Sequence, residues 1–459
     1  MIIFRAFWKL FRFISFLFVT VVAVFYFVVP DIAYSRYGGK EIISSLQPNW
    51  LLSDQPDILR IPKEEKNILY MTQADMFIEM AYCNIVHFPA LVVSYLFSKG
   101  SSDTITENYF GMSIDPHKND INDISKKLRE LGVKSVLLRI NYNRNLFASD
   151  EYKKIKDAVE RLHLEGYEIL LVLAQNRDSF EAGADLDLYF KTIFSDFKGK
   201  ASEYQIGETV NRPKWGVIRK GEYEKFYAIA KKYRDSLDKN AKLIAPSVID
   251  FEWLYTTYFT KTIGEYDILN SLLYVDRVHQ PENEQDGFDT MDKIALMRAV
   301  DTSKKFYITE FNWPLSKTGD YKPTSEKEAV SEELHSVYNI RYLLATMASK
   351  QVDKVYYWQL YAKGYGLVDH IDMTNKPSFA AYKTIIRLFK GAKTLSYEEL
   401  ANCYSLKSVK NGKSIEARWC KDEAKVTLKK EPKYSYLDIY GDEFKGDTVG
   451  GSPVYIIEK

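Results

Sequence analysis

Two glutamates stand out among the ionisable residues of this 459-residue chain. Each closes a short apolar run and is soon followed by tryptophan: Tyr-Gln-Ile-Gly-Glu208 leads to Trp215, and Tyr-Ile-Thr-Glu310 leads to Trp313. Two carboxyls facing each other across one opening suit the cleavage of a glycosidic bond. One attacks the anomeric carbon or steadies its charge, and the other, kept protonated, hands a proton to the departing oxygen. A separation of about 5 to 5.5 Å marks the retaining route. Burial and mutual repulsion push such a pair apart in pKa, with Glu310 ionised as nucleophile and Glu208 protonated as acid/base.

The pair is useful only if the fold brings it together. Apolar runs predict strands at 109–114, 135–140, 168–174, 204–207, 242–246, 277–279, 306–309 and 354–358. Amphipathic helices separate them, as where Ile121, Ile124, Leu128 and Leu131 share one face before Gly132. Eight such units over this span predict a (β/α)8 barrel, whose reactive groups gather at the C-terminal ends of the strands. Glu208 follows the fourth strand and Glu310 the seventh, so both are expected in one mouth. No GxGxxG or GxxxxGK[ST] loop supports a doubly wound open sheet. Past Gly391 the pattern turns to short β-prone pieces. The expected division is an anchor at 1–30, a helical linker or barrel-packing segment at 31–105, the barrel at 106–392 and a β-rich appendage at 393–459.

Several motifs carry a family resemblance: ITEFNWP around Glu310, YYWQLY around Trp358, GLVD with KPSFAAY, and LDIYGDEF with SPVYI in the tail. In these the chain resembles glycoside hydrolase clan A, the retaining (β/α)8 glycosidases, and in its tail the xylosidase-like members with an appended β domain. The resemblance implies Glu310 as nucleophile and Trp358 as the sugar platform. It also implies Arg139 as the second-strand cation beside the nucleophile, and His279, ending the sixth strand, in the polar ring that contacts it. The departure lies at the fourth strand, where the family's Asn-Glu is replaced. Aligned on Ile206 and Gly207, Glu208 takes the asparagine's place and Thr209 the acid's. Aligned on the glutamate, Gly207 replaces the asparagine, and Asn211 or Gln175 is left to meet the sugar 2-hydroxyl. Trp215, Trp253 and Trp313 are candidates for stacking on sugar rings or for ordinary packing, and Asp115 ends the first strand.

Acids and bases cancel to a formal net charge of +1, which gives no field for a nucleic acid backbone. No CxxC or HExxH spacing supports a zinc site, and no cofactor is implied. Cys403 and Cys420 either pair across neighbouring strands or stay free, with Cys83 alone. Residues 13–30 hold no charge and follow Arg5, Lys9 and Arg12, which predicts an uncleaved signal anchor with a cytoplasmic N-terminus and the body on the periplasmic or extracellular side. A cleaved signal peptide is the alternative. A second apolar stretch, 80–98, is expected to pack against the barrel or lie in the interface rather than span. The reading that follows is a retaining glycosidase acting on an envelope or exported carbohydrate polymer or oligosaccharide. An altered barrel that binds or assembles polysaccharide, or a transglycosidase, are its alternatives.

Overall fold

The computed structural model describes residues 2–45, 62–97, 100, 103–217, 219–274, 280–284, 287–316 and 329–459. Five helices come first: α1 (Ile2–Phe27), α2 (Val29–Arg36), α3 (Gly39–Ser45), α4 (Lys63–Thr72) and α5 (Ala74–Phe97). Strands and helices then alternate as β1 (Phe110–Ile114), α6 (Ile121–Leu131), β2 (Ser135–Asn141), α7 (Asp150–Leu164), β3 (Glu168–Ala174), α8 (Arg177–Glu181), α9 (Ala184–Asp196), β4 (Glu203–Ile206) and α10 (Glu222–Leu237). The second half runs β5 (Lys242–Ile244), α11 (Trp253–Ile263), β6 (Ile268–Leu273), α12 (Thr290–Ala299), β7 (Lys305–Phe311), α13 (Glu332–Ser349), β8 (Lys354–Tyr357) and α14 (Pro377–Phe389). Among the described residues β1 to β8 are all parallel and close into a barrel, β1 pairing with both β2 and β8.

The helix ends follow local chemistry. Asp120 caps α6 by accepting from the Asn122 N–H, and Gly132, at φ 78°, ends it in the left-handed region. One expectation is corrected. The sixth strand was expected at 277–279, but β6 lies earlier, at Ile268–Leu273, and 275–279 fall outside the described residues. Asn270 and Ser271 interrupt the apolar run and mask it in the sequence. Both are fully buried, and Asn270 accepts a hydrogen bond from the Thr309 hydroxyl at 2.8 Å, which offsets the cost of burying its amide.

The strands alternate between two cores. Outward residues such as Val136, Leu171, Ile308 and Val355 pack under the helices, whereas Leu137, Leu170, Val172, Ile244, Ile268, Tyr307, Tyr356 and Trp358 fill the lumen. Gly111 is required by this filling, since a Cβ there would sit 2.3 Å from the Tyr356 ring. Towards the N-terminal end of the barrel the lumen is polar. Lys354 Nζ lies 3.0 Å from Glu203 and 2.9 Å from Glu168, and the Tyr307 hydroxyl donates to Glu203 at 2.8 Å.

Beyond α14 come β9 (Lys393–Leu400), β10 (Cys403–Lys410), β11 (Lys413–Cys420), β12 (Val426–Thr427), β13 (Tyr434–Leu437), β14 (Thr448–Val449) and β15 (Val454–Glu458). They form an antiparallel sheet in the order β13-β15-β11-β10-β9 and a two-stranded β12-β14 ribbon. Cys403 and Cys420 face each other across β10 and β11 and form a disulfide; Cys83 is free. A buried ion pair of the barrel meets this domain through one hydrogen bond. Glu282, after β6, bonds Arg341 of α13 at 2.9 Å and accepts from the Trp419 indole of β11 at 2.7 Å.

The lumen network gives the first prediction. Lys354→Met leaves Glu203 buried without its cation and is expected to cost about 3 to 5 kcal/mol. Pairing it with Glu203→Gln should restore much of that loss, as read by urea denaturation in mild detergent. A single variant as stable as the parent contradicts a charged lumen network.

Candidate active site

The chain turns sharply at the end of β4. Gly207 has φ 95° and Thr209 φ 47°, and a Cβ on Gly207 would meet the Tyr223 ring at 2.8 Å. This turn places Glu208 in a closed polar nest at 3 % exposure. Ser247, just past β5, donates to its Oε1 at 3.0 Å, and Thr209 reaches the same oxygen at 3.3 Å. Gln205, inside β4, donates to Oε2 at 3.0 Å. Burial pushes the Glu208 carboxyl above the usual glutamate range, and the positive charge of Arg139 and the three donors only partly oppose it.

Glu310 owes its position to a break in the alternation of β7. Ile308 pairs with Val355 and Phe311 with Tyr357, so Thr309 and Glu310 together oppose Tyr356 alone. All four flanking side chains pack in the outer core, while Tyr356 fills the lumen. The bulge therefore returns Phe311 to the outer face and presents two successive residues to the inner one. Thr309 bonds Asn270, and the half-buried Glu310 accepts a 2.5 Å hydrogen bond from the hydroxyl of Tyr274, the residue that follows β6. Tyr274 thereby orients the Glu310 carboxyl.

A cation–aromatic cluster lies near Glu208. The Arg139 guanidinium, on β2, is 4.4 Å from the Trp358 ring centre and 5.5 Å from that of Trp215. Its charge also bears on Glu208. Asn312 donates to the Trp358 carbonyl at 2.7 Å and holds the end of β8 beside that of β7.

Other expected contacts are placed differently. Gln175 spends both ends of its amide on the Glu208 backbone, accepting from its N–H at 2.8 Å and donating to its carbonyl at 2.7 Å. It positions the glutamate and leaves no amide group directed at a sugar. Asn211 is likewise engaged with Ile249 and Glu252, all at 2.9 to 3.1 Å. Trp313 is fully enclosed against Tyr338 and Tyr342 of α13, so it packs in the core and presents no face to a sugar. Asp115 pairs with His117 and Lys118. His279 lies outside the described residues. Tyr274, Ser247 and Gln205 were missed by the sequence reading. Tyr274 follows directly from the true bounds of β6, whereas Ser247 and Gln205 carry no signal apart from their places at strand ends.

No protein-family model matches the chain, and no curated protein matches its sequence. Solved structures do. A family 39 glycoside hydrolase from Bacteroides cellulosilyticus WH2 is similar at TM-score 0.58 and 11% identity, over 77% of this chain and 81% of that one. The family 30 subfamily 8 xylanase of Clostridium acetobutylicum gives 0.52 and 12%, over 78% and 97%. A family 30 endoxylanase of Clostridium papyrosolvens C71 gives 0.52 and 12%, over 79% and 98%. The fold is that of these glycoside hydrolase barrels. It is the fold that the strand-end motifs pointed to, with the same kind of closed parallel barrel.

The raised pKa of Glu208 has a definite consequence for stability. The folded chain holds this proton more tightly than the unfolded chain, whose glutamate titrates near 4.5. The stabilisation is therefore complete below that value and is lost as pH rises through the folded-state pKa. Glu208→Gln removes the titration. Its Tm relative to the parent is expected to climb as pH goes from acid towards neutral, in a thermal scan series. A difference that stays flat with pH, or falls, contradicts the assignment.

Proposed function

We propose that this barrel is a retaining glycosidase, tethered by α1 to a membrane and acting on an envelope or exported carbohydrate polymer. The observation that carries the reading is the contrast between the two strand-end carboxyls. Glu310 is half-exposed and oriented by Tyr274, whereas Glu208 is enclosed and pushed towards its protonated form. In the first step a Glu310 oxygen bonds to the anomeric carbon as the glycosidic C–O bond breaks, and Glu208 transfers its proton to the leaving oxygen. In the second, Glu208 takes a proton from water, the water oxygen bonds to the anomeric carbon, and the ester to Glu310 opens. Trp358, with Arg139 over its ring, forms the platform beneath the cleavage point, and Trp215 extends it. On this reading Gln175 acts as a positioning residue and Asn211 shapes the loop after β5.

One observation favours a second reading, a barrel that binds polysaccharide without cutting it. Both Glu208 oxygens already accept hydrogen bonds from neighbours, and on either alignment this strand end lacks the Asn-Glu pair of the family it resembles. A proton donor must instead turn towards the leaving oxygen. Glycosidase action requires the Ser247 and Thr209 contacts to loosen when substrate enters.

Covalent trapping separates the two. The full chain, incubated with a panel of activated 2-fluoro glycosides, should gain one sugar mass located at Glu310 by peptide mapping. Glu310→Gln should gain none. Glu208→Ala should slow substrates with poor leaving groups by about 10² to 10⁴-fold and activated aryl glycosides far less. Binding of glycans without any labelling contradicts the glycosidase and leaves the binding barrel.

A further inference from the structure

The N-terminal helices carry a surface that sugar chemistry does not use. α1 meets the rest of the chain through its last turns. Val22, Ala23 and Tyr26 are half-buried, whereas Phe16, Leu17, Phe18 and Val19 are exposed. The stretch is long and apolar enough to cross a membrane. Its end is fixed to α5, where the Tyr26 hydroxyl donates to Glu79 at 2.5 Å and Lys220 Nζ lies 3.5 Å from the centre of the Tyr26 ring. The other Glu79 oxygen accepts from Tyr258 of α11 at 3.2 Å. Anchor helix, α5 and barrel thus meet at one point.

α5 has two different sides. The inner one is seated on the barrel: Met76 and Leu91 join the main core, Asn84 donates to the Leu254 carbonyl at 3.0 Å, and the Tyr95 hydroxyl donates to Asp292 at 2.9 Å. The outer one presents Tyr82, Ile85, Val86, Val93, Leu96 and Phe97 at helical spacing, each between 52% and 76% exposed. It begins one turn after Glu79, and from Met80 to Phe97 the helix carries no Asp, Glu, Lys or Arg. An exposed apolar face of this kind needs a cover.

We infer that the cover is lipid, with α5 lying flat in the membrane interface and holding the barrel down by its α11–α12 flank. The inference rests on the reading of α1 as a membrane anchor. The last turns of α1 meet α5 at the Tyr26–Glu79 contact, so a bilayer that receives α1 lies next to the start of the outer face of α5. Spanning is opposed by the inner side. To cross the bilayer, α5 would carry with it the neighbouring ends of α11 and α12, where Lys261, Asp301, Thr302 and Ser303 line a pocket with His87 and Ser94 of α5, against a large desolvation cost. A helix with one apolar side against acyl chains and the other against protein settles in the interfacial plane.

The test uses the full chain with Cys83→Ala, in nanodiscs made with lipids brominated at shallow or deep acyl positions. Single cysteines replace Ile85, Val93 or Phe97, with Val19 as the anchor probe and Lys126, on α6 across the barrel, as the water-exposed control. Each carries a bimane label, and an unchanged thermal transition shows that the fold is kept. All three α5 labels should be quenched severalfold more by shallow bromine than by deep bromine, and should resist iodide. The Val19 label should respond most to deep bromine and the Lys126 label to iodide. Iodide quenching on α5 equal to that at Lys126 overturns the inference, as does shielding from both quenchers, which means a protein cover. So does a depth profile that crosses the bilayer from Ile85 to Phe97. If Val19 itself escapes bromine, the anchor reading fails; if Val19 is quenched and the α5 labels are not, only the interfacial placement fails.

Discussion

Barrel closure imposes a strict parity on this chain, because each strand can send only alternate side chains inward. Closure commits Leu137, Leu170, Val172, Tyr307 and Tyr356 to a sealed lumen and leaves the last inward positions of each strand to line a mouth. The residues proposed for chemistry depend on this. Arg139 and Trp358 lie on the inward register of β2 and at the end of β8. Glu310 reaches that face only because β7 bulges by one residue against β8. Without the bulge, the alternation set by Tyr307 and Ile308 would turn Glu310 outward and Phe311 inward.

The same parity explains how much of the fold was legible in the sequence. β3 is a continuous apolar run whose bounds follow from its residue types alone, and α6 and α7 show their buried faces through helical spacing. β6 was not legible. Its Asn270 and Ser271 are polar yet fully buried, and what makes them tolerable is a partner on β7 that no local pattern announces. With β6 ending at Leu273, the residue that follows it is Tyr274, which bonds Glu310. The roles of Gln175 and Asn211 were obscured for a similar reason. Their side chains are taken up by backbone groups of β4 and of the loop after β5, and such tertiary hydrogen bonds leave no trace in sequence spacing. Trp313, likewise, sits beside a strand end in sequence but inside the core in space.

The departure at the end of β4 has an electrostatic meaning. A carboxyl with Ser247, Thr209 and Gln205 as donors is arranged to be held still, while its enclosure favours the neutral form. Arg139, stacked near Trp358, moderates that preference through its charge. The same donors that fix the carboxyl also occupy both of its oxygens, so this strand end combines a favoured neutral form with a restrained side chain.

The proposed chemistry needs Glu208 and Glu310 to share one opening, with burial holding the Glu208 carboxyl above the usual glutamate range. Side-chain ¹³C-glutamate NMR titration of the chain, with Glu208→Gln and Glu310→Gln to assign the two signals, tests it most directly. The account predicts that Glu208 titrates above the ordinary glutamate range and that Glu310→Gln lowers the Glu208 pKa, because removing a negative charge across the opening makes its ionisation easier. A Glu208 titration in the ordinary glutamate range and unmoved by Glu310→Gln would contradict it.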